Sequence, residues 1–388
     1  APSRGLGDVY KRQKKWNSNN IFQAEYYNYL KENAFVKGDA GRPDKDAREK
    51  TSGLKDIGLL DDERNLTETG LELLKITESD DFTSDNFLEI PKDSFLYLKQ
   101  LLKTANIVGE KTVRPFVVFL YVVNKVEYLT NDEFTYLLPL CVDEHTTEKI
   151  IECIKEARST GKESYEDIIL SVLMDMDNYR KALDLLQTEP ISEELICNVG
   201  INRKSTKYDR PYYKLYMILK NIVFSKENAV LEFYEATKKL TNSKIGGAWR
   251  KYFFNSTARN VILREGVGVL NSVPILSASS MEQFNEAFFK IMHLFKAKAT
   301  LSDYFDLNRR YFKITDIVLF EDNKVKLDVL PKCYIEMIGE YLLEIAFEQT
   351  ELLQKNVDLQ EIAPFLDIDT SLLYQKLERV LGISVSTK

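Results

Sequence analysis

RPDKDAREKTSGLKDIGLLDDERNLTETG, residues 42–70, decides how the chain is read. Asp44 to Lys55 has the composition of a short helix too charged to be buried, so it is expected to face outward. Ile57-Gly58-Leu59-Leu60 then reads as a strand, Asp61-Asp62-Glu63-Arg64-Asn65 as a polar turn, and Leu66-Thr67 as the return strand. Upstream, Ile21 to Asn33 carries Ile21, Phe22, Tyr26, Tyr29 and Leu30 on one side of a helix. A loop at Gly38 to Pro43 follows it, and Thr69 to Lys75 opens another helix after the hairpin. Helix, loop, charged helix and hairpin in that order describe a winged helix-turn-helix, whose wing would touch the sugar-phosphate backbone of a duplex.

Outward from there, residues 84 to 160 read as helical. Phe95 to Lys103 is one helix, and Phe116, Phe119, Leu120 and Val123 form the apolar face of another, with Pro115 in its first turn. Thr130 and Glu133 have capping-box spacing for a helix through Leu138, and Thr146 to Arg158 follows as a second helix-turn-helix element. Tyr165 to Leu186 and Lys207 to Leu240 read as further helices, and Gly246-Gly247 as a break before Trp249 to Asn255. Residues 301–346 repeat the first module in outline. Leu301 to Arg309 is a short helix, Ile317 to Phe320 and Val325 to Val329 are strands about a 321–324 turn, and Pro331 to Ala346 is a helix. Leu352 to Leu381 reads as two helices broken at Pro364. The expected fold is mainly α with small β-hairpins: tandem winged helix-turn-helix modules joined by helical segments. Its parts are a winged module at 14–80, a helical helix-turn-helix module at 84–198, a basic helical module at 199–300, a second winged module at 301–346 and a helical linker at 347–388. Residues 8–13, DVYKRQ, resemble a translated sequencing-library adapter, so residues 1–13 are set aside as an artefact.

Composition narrows the function. The chain has 388 residues, of which 44% are hydrophobic and 29% charged, and no apolar run approaches the length of a bilayer span. Four scattered cysteines and two histidines offer no zinc-ligand spacing, and the cysteines read as reduced core residues of a cytoplasmic protein with no membrane partner. The net charge of −7 argues against a generic DNA coat, yet its distribution is uneven. Asp143 to Glu194 holds 14 acidic and 6 basic residues, whereas Ile201 to Arg264 holds 14 basic and 4 acidic, a net of +10. A basic block inside an acidic chain is a candidate polyanion surface.

Two segments carry that chemistry. Arg42, Lys45, Arg48, Lys50, Thr51, Ser52 and Lys55 line the charged helix, where cations suit guanine edges and hydroxyls suit bases or phosphates. The alternative is a solvated helix, since Asp44, Asp46 and Glu49 nearly balance the charge. In the basic block, Arg203, Lys204, Lys207, Arg210 and Lys214 alternate with Tyr208, Tyr212, Tyr213 and Tyr216. Further on, Lys244, Arg250, Lys251 and Arg259 surround Trp249, Tyr252, Phe253 and Phe254. Phosphate contact is one reading. The other is an amphipathic helix with core aromatics and solvated lysines, which explains the rings better than the net charge. A metal-dependent nuclease centre needs clustered carboxylates and a lysine. Asp306 with Asp322-Asn323-Lys324 matches the bare spacing but is set aside, because Asp322 and Asn323 suit the turn of the hairpin. Thr160-Gly161-Lys162 lacks the upstream glycine of a phosphate loop, and His145 and His293 lie near no nucleophile motif.

Arg114-Pro115-Phe116-Val117-Val118-Phe119-Leu120 followed by Tyr128-Leu129-Thr130-Asn131-Asp132-Glu133-Phe134 resembles the central block of the AlwI family of type II restriction endonucleases. Gly58-Leu59-Leu60 through Leu66-Thr67 and Gly70, and Tyr311-Phe312-Lys313-Ile314-Thr315-Asp316 with its hairpin, are similar to blocks of the same family, in order from about residue 14 to 346. The resemblance implies an enzyme that reads a short asymmetric duplex site and cuts a few bases to one side. It implies an N-terminal recognition region, a helical linker and a C-terminal magnesium-dependent nuclease domain, with a cognate methyltransferase as genetic partner and dimerisation for cleavage. The acid, acid and lysine set of such a domain is not evident before Lys388, so the nuclease domain is expected beyond this stretch and no catalytic residue is assigned. The competing reading is a non-enzymatic winged-helix regulator or replication initiator.

Overall fold

A computed structural model describes residues 16–162, 164–348 and 363–382. The adapter-like residues 1–13 and residues 349–362 and 383–388 of the expected linker lie outside the described residues. The fold is mainly helical, with two small antiparallel sheets among the described residues. Among the described residues no helix is long and apolar enough to cross a membrane. The chain divides into two compact units. The first takes the described residues of Ala1–Thr130, Val142–Thr147 and Arg309–Lys388, and the second takes Asn131–Cys141 and Glu148–Asn308.

The centre of the first unit is the Pro115–Val126 helix. Its sequence predicts one apolar face, but the helix is buried all round, from Phe116 through Val123. Pro115 opens it, where a missing N–H costs nothing. Arg114, fully buried, donates through Nη1 to the carbonyls of Ile345 (2.5 Å) and Glu348 (2.9 Å) at the end of the Gly339–Phe347 helix. The Ile345 carbonyl also accepts from the Glu348 amide at 3.4 Å, and Arg114 adds a side-chain cap delivered from far away in sequence. Phe312 meets Phe116 and Phe119 at ring distances of 5.0 and 4.9 Å. Two of the sequence blocks that carry the family resemblance therefore face each other in one core.

The N-terminal module departs from expectation at its wing. Asn20–Glu32 and Pro43–Asp56 are helices, but Ile57 and Gly58 still belong to the end of the second. The expected hairpin is a single antiparallel bridge, Leu60 to Leu66. Asp61 explains the tightness: its Oδ1 accepts from the amides of Glu63 (2.9 Å) and Asn65 (2.8 Å), closing the turn before strands can extend. Thr67 caps the following Glu68–Ser79 helix by accepting from the Gly70 amide at 3.1 Å.

Residues 84–160 are not wholly helical. β1 (Asn106–Val108) and β2 (Lys111–Val113) form a hairpin about Gly109, which has φ 67°, and four of their six residues are β-branched. Thr130, expected as a helix cap, lies in β3 (Leu129–Thr130), ahead of a helix at Asn131–Tyr136. The later hairpin forms as the sequence predicts. β4 (Val318–Glu321) and β5 (Lys324–Leu327) turn at Asp322 and Asn323, whose φ of 49° and 60° match a two-residue type I′ loop. β3 adds to the far edge of β5, giving the order β3-β5-β4. The helix expected from Pro331 to Ala346 is two, Val329–Met337 and Gly339–Phe347.

The second unit is helical and its core is aromatic. The 22-residue Met281–Ser302 helix, which the sequence reading did not pick out, buries Phe284, Phe288, Met292 and Phe295. Trp249 packs on Phe288 (5.7 Å) and Phe295 (5.8 Å) and stacks on Phe253. Tyr216 donates to Asn285 Oδ1 at 2.6 Å, satisfying a hydroxyl with no access to water. Gly246 and Gly247 do not break a helix. Asn242 accepts from the amides of Lys244 and Ile245, starting the Ser243–Phe253 helix upstream and carrying the glycines into it. The expected Tyr165-to-Leu186 helix is broken at extended Met176, and the 207–240 segment at the loop after Ser225.

Candidate nucleic-acid interface

The charged helix of the first unit faces solvent on one side, as its composition demands, but most of its cations are engaged. Arg42 is exposed and donates to Asp44 at 2.8 Å, and this bond holds the Asp44 carboxyl down, to about 2. Lys45 pairs with Glu49 at 3.3 Å and Lys55 with Asp62 at 2.9 Å. Arg48 lies over the module's own core. Its Nη1 donates to Gln23 Oε1 at 2.6 Å, and buried Gln23 in turn donates to the Trp16 carbonyl. Lys50 is exposed and forms no ion pair among the described residues. Thr51 corrects the sequence reading: only 2% exposed, it donates to the Ala47 carbonyl and accepts from Arg64, so its hydroxyl is spent inside the fold. Ser52 is half-buried and bonds its own helix at Glu49.

The basic block of the second unit sorts into two classes. Tyr212, Tyr216, Trp249, Phe253 and Phe254 are all buried, so the alternation with cations marks an amphipathic helix and not a stacking platform. Arg210 pairs with Glu193 at 2.7 Å, Lys214 with Glu232 at 3.1 Å, Arg259 with Glu235 at 3.8 Å, and Lys244 with Asp303. Arg250 is half-buried beside Thr237, at 3.3 Å. Lys251 is exposed with no ion pair among the described residues.

Arg203, Lys204 and Lys207 differ from these. They stand on the loop between the Glu193–Val199 and Pro211–Lys220 helices, all exposed, with no carboxylate partner among the described residues. Tyr208 beside them is 46% exposed. The loop is nevertheless ordered by its own side chains. Asn202 Oδ1 accepts from the amides of Lys204 (3.0 Å) and Ser205 (3.4 Å), Ser205 Oγ accepts from Lys207 (3.3 Å), and Thr241 donates to the Tyr208 carbonyl (3.2 Å). Three cations held close together without counter-charges attract a polyanion, because each phosphate bound relieves their mutual repulsion and releases counterions.

Sequence reasoning missed what lies beneath. Asp209, the lone acid of the loop, is 1% exposed and accepts from Lys296 Nζ at 2.8 Å. Lys296 also donates to the Gly200 carbonyl. His293, one turn earlier, is buried with Nε2 2.9 Å from the Val199 carbonyl. Burial, and next the positive charge of Lys296, depress its pKa to about 3, so it is neutral. An acid surrounded by bases in sequence was the available signal.

The magnesium implied by the resemblance finds no fit here. Among the described residues no three His, Cys, Asp or Glu side chains are grouped to hold a metal ion, and no cleavage step is derived through one. Asp322 and Asn323 form the β4–β5 turn, and Lys324 lies 4.1 Å over the ring of Tyr128. None of the four cysteines is in a disulfide; three are buried and Cys153 is partly exposed.

A family model described as AlwI restriction endonuclease matches residues 55–386. This span takes in the whole 200–209 loop and excludes the charged helix up to Leu54. No curated protein and no solved structure matches the chain.

Proposed function

The chain belongs to the AlwI restriction endonuclease family, and from that premise we propose that it recognises double-stranded DNA sequence-specifically for a type II restriction endonuclease that hydrolyses phosphodiester bonds near its site. The observation that carries this reading is the exposed, unpaired trio Arg203, Lys204 and Lys207 within a segment of net charge +10. Lys50 and Lys251, equally free of ion pairs among the described residues, extend the candidate contacts. Arg42, Lys45 and Lys55 join as second-rank contacts, because a surface pair worth at most about 1 kcal/mol yields readily to a phosphate. Wing-like roles for the 60–66 turn and the β4–β5 hairpin, a protecting methyltransferase and dimerisation during cleavage belong to the same proposal. The family match favours it over a non-enzymatic regulator or replication initiator.

The test is direct. In the full chain, Arg203→Glu, Lys204→Glu and Lys207→Glu together should weaken binding to a mixed-sequence duplex at least about 100-fold and flatten the salt dependence of log K by roughly 0.9 per lost phosphate contact. Unchanged affinity and slope would remove the loop from the interface. Selection from random duplexes should enrich one short motif, and recovery of an unbiased pool would refute sequence-specific reading.

A further inference from the structure

We propose that Lys296 and Asp209 are a positioning pair that holds the 200–209 loop in its DNA-binding shape, so that their pairing tunes duplex affinity without either residue touching DNA. The inference rests on the functional reading of the loop given above and adds to it the element that sets the loop's geometry.

Both ends of the loop converge on one side chain. Lys296, on the Met281–Ser302 helix, donates from Nζ to the carbonyl of Gly200 where the loop begins and to the carboxylate of Asp209 where it ends. The fit leaves no slack. A Cβ built at Gly200 would lie 2.2 Å from Asp209 Oδ2, so a residue with any side chain there would displace the carboxylate. Ile201, next in line, has φ 52°, a left-handed conformation that a β-branched residue avoids unless its surroundings impose it. His293 holds the residue before the loop through the Val199 carbonyl.

Energetics argue that stability alone is not what the pair supplies. Burial raises the Asp209 carboxyl and lowers the Lys296 ammonium, so each charge is held against its solvation preference. Buried ion pairs of this kind are often replaced by uncharged side chains with little loss of stability, which leaves geometry as the property they provide. On this loop the geometry has a plain consequence. Arg203, Lys204 and Lys207 repel one another, and without a clamp at both ends the chain between them would spread and splay the cations apart. Preorganising them means that a duplex does not bear the entropy of ordering the loop.

The decisive variant is the full chain with Lys296→Met and Asp209→Asn, which removes both charges at nearly constant volume. It should keep its melting temperature within a few degrees, bind a mixed-sequence duplex about tenfold more weakly, lose part of the salt slope, and exchange the amides of 202–208 faster. Wild-type affinity and slope in a folded double variant would overturn the proposal. If the double variant does not fold, Asp209→Asn alone carries the test through the same readouts. The charge-reversal triple separates the two layers. If the triple variant binds normally, the reading of the loop fails. If the triple variant loses binding while the pair variant does not, only the positioning role fails.

Discussion

At the scale of single residues, two buried bases show how strongly environment overrides residue type. His293 was read from sequence as a histidine without a nucleophile motif nearby; the fold makes it a neutral ring whose Nε2–H donates to the Val199 carbonyl. Its depressed pKa gives a signed prediction. Between pH 6.5, its ordinary value, and about 3, the unfolded chain binds a proton there that the native chain does not. Stability therefore falls as pH drops through that window, by up to about 1.4 kcal/mol per pH unit from this group. His293→Gln should flatten the acid limb of denaturant-unfolding midpoints measured from pH 7 to 4. Carboxylates titrate in both proteins, so equal slopes in the two would show that His293 is not the buried neutral base described. Arg114 teaches the opposite lesson. Its resemblance block could be taken for a functional signature, yet its guanidinium is committed to the Ile345 and Glu348 carbonyls, so in this chain the residue serves architecture.

At the scale of elements, close approach governs which helices meet. The Pro43–Asp56 helix passes the Tyr311 ring so tightly that a Cβ at Gly53 would lie 2.5 Å from the tyrosine hydroxyl. Gly53→Ala should destabilise the first unit by about 1–3 kcal/mol, read as a shift in the urea midpoint. Tyr311→Phe added to it should recover much of the loss, since only the hydroxyl is in the way. Additive losses would mean that the helix responds by moving and not by clashing. The same element limits the interface. Arg42 and Lys45 are already satisfied within the helix surface, so Arg42→Glu with Lys45→Glu should cost less duplex affinity than the loop triple, as measured by anisotropy at one salt concentration. A larger loss would move the main contact to this helix.

At the scale of the whole molecule, the net charge of −7 and the proposed polyanion ligand are compatible because charge acts locally. The Debye length is about 8 Å at physiological ionic strength, so a phosphate near Lys204 responds chiefly to the cations of its own loop. Acidic Asp143 to Glu194 is adjacent in sequence and belongs largely to the same unit, but its charges are partly spent on Lys149, Arg180 and Lys298. The division into units also cuts across the expected string of modules. Of the residues expected as one module at 84–198, those through Thr130 and Val142–Thr147 fall in the first unit and the rest in the second, and those at 301–346 divide after Asn308.

By itself the sequence determined what local chemistry determines. Helical periodicity, the Pro115 start, the Asp322-Asn323 turn and the cationic excess after Ile201 were all legible, because each depends on neighbours a few residues away. It also carried the family, through blocks whose order survives in the chain. Only the tertiary structure decided which cations are free. Arg48, Lys55 and Lys244 look equivalent to Arg203, Lys204 and Lys207 in composition, but a carboxylate or amide from elsewhere in the chain occupies the first three. The tertiary structure also joined Asp209 to Lys296 across 87 positions, because burial and pairing depend on distance in space, which no short window of sequence encodes.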